Sequence, residues 1–163
     1  MRFAVLDSHF QNCEAHLVAT NSVSTHVESY LVQFLLTRIC AEYETRIKVL
    51  IQRRCTRVTD GYVRHFAERS AKDVSKNFNI GDLKGVLARF GDDYKQGFHD
   101  SVMLTPAHIA WDNIYANRQA VAHGSGAQMT FKELKTAYED SLGVLDSLMQ
   151  ALELTPLETV DLT

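Results

Sequence analysis

Residues 117–124 read Asn-Arg-Gln-Ala-Val-Ala-His-Gly and set Arg118 and His123 five positions apart at the end of a helical pattern. A guanidinium fork binds phosphate through paired N–H donors, and an imidazole moves protons near neutral pH. Together they supply what cleavage of a phosphodiester without a metal requires: a fixed positive charge on the phosphate and a group that transfers a proton. On an ideal helix the two side chains stand ~140° and ~7.5 Å apart, too far around the cylinder for a rigid pair. Gly124 relaxes that limit, because a glycine just past a helix end lets the terminal turn swing the ring towards Arg118 or towards a partner subunit.

Trp111 and Tyr115 precede Arg118 by seven and three positions and share its face, either as rings on which a base stacks or as core. Further upstream, nine of the seventeen basic residues fall between Arg46 and Lys76, against only Asp60, Glu68 and Asp73. Arg46, Arg53, Arg54 and Arg57 are the candidates there for contact with a polyanion; the other reading is a set of solvated helix faces. From Thr136 onwards there is no Lys or Arg, while six carboxylates follow, so the chain is electrostatically polarised. The net charge of −3 speaks against nonspecific coating of nucleic acid.

His9, Cys13 and His16 have the spacing of three ligands on one helix face, but Cys13 also belongs to an apolar stripe and no second pair completes a tetrahedral set. No metal site and no cofactor are expected. Gly-rich phosphate loops, Gly-x-Ser-x-Gly elbows and paired-Cys zinc motifs do not occur in the sequence.

The elements that must position these residues are helical throughout. Phe3, Leu6, Phe10, Cys13 and Leu17 mark a helix over about 2–20. Thr25 with Glu28 reads as a capping box opening a helix of about thirty residues that ends near Asp60-Gly61. A third helix is expected over 62–77, and a shorter one from Asp82, as N-cap, to Gly91; residues 92–104 carry no clear pattern. Thr105-Pro106 opens the helix that bears Arg118, and Gly124 closes it. Thr130 with Glu133 opens a last helix towards Pro156. The expectation is an all-α bundle of five to six helices, one domain over 1–154 followed by a short acidic tail over 155–163, the long second helix packing against the helices at 105–123 and 130–154. Three cysteines inside helical patterns suit free thiols, no apolar run approaches a membrane span, and the first residues lack a signal peptide, so a cytoplasmic protein is expected.

The stretch Ile114 to Gly124 resembles the apolar-Arg-Asn-x-Ile-Ala-His-Gly segment of HEPN domains, all-α bundles with an Arg-x(4–6)-His motif late in the chain. Within that superfamily the chain is most similar to the RiboL-PSP branch, whose long early helix carries a glutamate flanked by an aromatic; Ala41 to Ile47 looks like it, with Glu44 as the match. The residue after the arginine is Gln119, with Asn117 on the other side, where the family commonly has asparagine or another polar group.

The resemblance implies a metal-independent endoribonuclease, a toxin or defence effector, that dimerises so that two Arg/His pairs face one cleft. In that reading Arg118 and His123 are catalytic, and Glu44, Asn117 and Gln119 support them. Arg46, Arg53, Arg54, Arg57, Trp111 and Tyr115 meet the RNA. Control falls to a separate inhibitory protein, an antitoxin. The alternative is a non-catalytic HEPN module that binds a nucleotide, RNA or partner protein through the same cleft.

Overall fold

The computed structural model describes residues 2–72 and 78–154, and among them the chain forms seven helices and no strand. They are α1 (Ala4–Ala19), α2 (His26–Thr56), α3 (Gly61–Lys72), α4 (Ile80–Ala88), α5 (Asp92–Met103), α6 (Ala107–Ala122) and α7 (Phe131–Ala151). The fold is all-α, with one helix more than the upper expectation. The addition is α5, which buries only Phe98 and Val102 and so lacks the apolar stripe that would have announced it. The acidic tail over 155–163 and the last residues of the expected third helix, 73–77, lie outside the described residues.

Caps explain several boundaries. At α7 the Thr130 side chain accepts the Glu133 N–H while Glu133 reaches back to the Thr130 N–H, the capping box read from the sequence. At α2 the outcome differs. Thr25 accepts the Val27 N–H, but the buried Glu28 carboxylate accepts the N–H of Ser24 and, at 2.8 Å, that of Phe131 at the start of α7. It is a tie between two helix starts. At α4 the cap is Asn79, whose side chain accepts the Asp82 N–H at 2.9 Å; Asp82 lies inside the first turn. Pro106 occupies the N-cap of α6 rather than its first helical position.

The 31 residues of α2, ~46 Å of helix, form the central strut. Three neighbours align on Tyr43. Trp111 of α6 stacks on it with ring centroids 4.4 Å apart, Ser141 of α7 shares a hydrogen bond with its hydroxyl at 2.6 Å, and Phe3 before α1 packs at 5.7 Å. Because Phe131 meets Glu28 and Ser141 meets Tyr43, α7 runs parallel to α2. His9 on Phe34 together with Phe3 on Tyr43 makes α1 antiparallel. Burying the Phe3 side chain, 6% exposed, contributes about 1.5–3 kcal/mol. Cys13, Cys40 and Cys55 are free and buried. Among the described residues no helix is long and apolar enough to cross a membrane.

Candidate functional site

Trp111 opposite Tyr43 fixes the direction of α6, which runs antiparallel to α2: the chain leaves α6, turns, and meets Glu28 at Phe131. Arg118 therefore lies one turn further along than Tyr115, within electrostatic reach of Cys40 on α2. The electrostatics agree. Burial pushes the Cys40 thiol up to about 12, the charge of Arg118 pulls it down and that of Glu44 pushes it up again. Tyr115 is also raised, first by burial and then by Cys40, Glu44 and Tyr43, with Arg118 opposing. Arg118, Glu44, Cys40 and the Tyr115 hydroxyl thus share one seam between α2 and α6. Arg118 and Glu44 are half-buried there, so both reach solvent. The Tyr115 hydroxyl is buried with no hydrogen-bond partner among the described residues.

His123 is the C-cap residue of α6 and is exposed. Its N–H donates to the Gln119 carbonyl at 3.0 Å; the Gly124 N–H then donates to Val121 at 3.1 Å and the Ser125 N–H to Ala120 at 2.9 Å. That pair of bonds is a Schellman motif, and it requires the left-handed backbone that Gly124 adopts at φ +81°. The histidine is held by its backbone while its ring faces solvent. Asn117 anchors the same turn from inside the helix: its side-chain oxygen accepts the Gln128 N–H at 2.7 Å and its amide donates to the Asn113 carbonyl at 3.0 Å. Gln119 is exposed on the far side of the helix.

The expectation for the aromatics is corrected by burial. Trp111 is 0% and Tyr115 2% exposed, and the Trp111 indole N–H donates to the Phe78 carbonyl at 2.6 Å, so neither ring offers a face to a base. The arginines divide as well. Arg46 lies over the Phe3 ring at 5.4 Å, and Arg54 lies over Tyr94, donates to its hydroxyl and pairs with Glu153 at 3.2 Å. Arg57 donates to the Glu153 carbonyl at 3.0 Å. These three tie helices together, and Arg53 is half-buried. Cys13 faces the core, whereas His9 packs edge-on against Phe34 and His16 is exposed, so the three do not converge; among the described residues no group of three His, Cys, Asp or Glu is placed to hold a metal.

Cys40, read from the sequence as a free thiol, is buried one turn before Glu44 on the same face of α2.

Beyond the geometry, a family model described as RiboL-PSP-HEPN matches residues 5–154, a span that takes in Glu44 and the whole Arg118–His123 segment. No curated protein and no solved structure matches the chain.

Proposed function

The chain belongs to the RiboL-PSP-HEPN family, and from that premise we propose that it is a metal-independent endoribonuclease whose Arg118 and His123 form half of a composite site at a homodimer interface. The observation that carries the reading is the seam in which the charges of Arg118 and Glu44 both act on Cys40 and Tyr115, one Schellman turn from an outward-facing His123. Arg118 clamps the scissile phosphate and neutralises its developing charge. One histidine takes the proton of the 2′-hydroxyl as that oxygen attacks phosphorus; the other, from the second copy, protonates the departing 5′-oxygen. The products are a 2′,3′-cyclic phosphate and a 5′-hydroxyl. Glu44 orients Arg118, and Asn117 sets the turn that presents His123.

An apolar face supports the dimer. At the level of α2 reached by the end of α6, Val27, Tyr30 and Phe34 are 37%, 67% and 44% exposed on one side of the helix, a surface suited to a second copy. A toxin or defence role with an inhibitory partner protein, and a cytoplasmic setting, complete the reading. A second reading, the non-catalytic binding module, is favoured by one observation: no hydrogen bond or ring contact among the described residues orients the His123 imidazole.

The test is incubation of a mixed RNA pool in EDTA with the wild type and with His123→Ala of equal fold and oligomeric state. Wild type is expected to leave cyclic phosphate ends, with a rate loss of about 100-fold or more in the variant. Binding by both proteins with cleavage by neither selects the second reading.

A further inference from the structure

We propose that α3, with the groove it forms against α2, α4 and α5, is a docking site for single-stranded RNA, separate from the Arg118–His123 segment. The choice of RNA as occupant rests on the nuclease reading above. Residues 61–72 form a helix that turns aromatic rings outwards: Tyr62 is 93% and Phe66 73% exposed. On an ideal helix Tyr62, His65, Phe66 and Arg69 fall within an arc of ~100°, so two rings, an imidazole and a guanidinium make one stripe, while the exposed Arg64 lies ~150° around the helix from it. Rings interleaved with cations are the composition of a surface on which bases stack while the charges meet phosphates.

The acidic residues nearby do not cancel that field. Asp60 caps α3, its carboxylate accepting the Tyr62 and Val63 N–H groups at 2.9 and 3.1 Å, and Glu68 is half-buried. In contrast to Arg46, Arg54 and Arg57, which the scaffold occupies, Arg64 and Arg69 stand exposed on the helix.

Phe66 also lines a groove of ≈770 Å³, together with Val63, Phe90 and Tyr94, and Arg89 is among the residues that border it. That volume is ample for an unstacked base. The groove lies on a relevant side of the molecule. Around the α2 axis, Ile51 and Cys55, which line it, fall within ~60° of the direction set by Cys40 and Glu44. Along that axis Arg57 is ~20 Å from Glu44, about six nucleotides at the ~3.4 Å spacing of a stacked strand. One strand can therefore lie on α3 and reach Arg118.

The experiment measures anisotropy of a labelled single-stranded 2′-O-methyl RNA, which lacks the attacking hydroxyl and stays intact, against the full chain. Tyr62→Ala/Phe66→Ala, with helicity checked by circular dichroism, is expected to weaken binding about tenfold or more. Arg69→Ala should lower the slope of log K against log salt by about 0.7. A duplex of the same sequence should be indifferent to the aromatic pair, and His123→Ala should bind the single strand as wild type does. Unchanged binding by the aromatic variant, or no binding by wild type, overturns the proposal. An effect of Arg69 without one of the two rings also overturns it. Cleavage is scored separately. A protein that binds through Tyr62 and Phe66 but cuts nothing keeps the docking site and loses the nuclease reading, and one that cuts while ignoring both rings does the reverse.

Discussion

Asn117 shows how one side chain can matter to a neighbour it never touches. Its oxygen holds Gln128 and its amide holds Asn113, so the turn that carries His123 is clipped to the body of α6. Asn117→Ala is expected to cost about 1 kcal/mol in urea denaturation, the usual worth of such a hydrogen bond, and to raise amide exchange over 124–130. Unaltered exchange in that turn would show the clip to be dispensable. At this scale the Arg118–His123 string and Glu44 were legible because each is a local pattern. The roles of Trp111, Tyr115, Arg46, Arg54 and Arg57 were not. Spacings of three and seven describe a core stripe as well as a stacking face, and the groups that settle the matter, Tyr43 for Trp111 and Glu153 for Arg54 and Arg57, are remote in sequence. No single-sequence rule selects such partners.

Among the elements, the end of α6 depends most on one backbone conformation. Gly124 has φ +81°, while a Cβ built there would meet nothing within 4 Å, so substitution brings conformational strain without a clash. Gly124→Ala is therefore expected to cost about 1 kcal/mol. Under the proposed function it should also slow RNA cleavage, since the turn that presents His123 shifts with it; a variant as stable as wild type would contradict the strain. Helix ends of this kind could be read from the sequence, as Gly124 and the Thr130–Glu133 box attest. The start of α4 could not be, because Asn79 and Asp82 are both good caps and the choice falls with the placement of the chain around it: the Ile80 N–H donates to Asp112 of α6 at 2.9 Å. Glu28 likewise satisfied a capping pattern in sequence yet serves a tertiary tie.

For the molecule as a whole, its buried acids make stability fall on the alkaline side. Burial holds Cys40 near 12 against an ordinary 9.0, and Tyr43, Tyr115 and Tyr138 are also raised by burial. The unfolded chain releases these protons near the ordinary values, whereas the folded chain keeps them. Between roughly pH 9 and 12 the unfolded state therefore binds fewer protons, and stability, intact below that window, declines as pH rises through it. The urea midpoint at about pH 10.5 should lie below that at about pH 8, and a level midpoint would mean that these groups ionise freely in the native protein. The bond between Glu28 and Phe131 has a temporal consequence. It joins residues 103 positions apart, an interval that synthesis at roughly 5–20 residues per second takes about 5–20 s to cover. Until then α2 has α1 and, later, α6 to pack on but lacks its tie to the start of α7. Under the proposed function the composite site is incomplete for that interval, which gives an inhibitory partner its earliest opening.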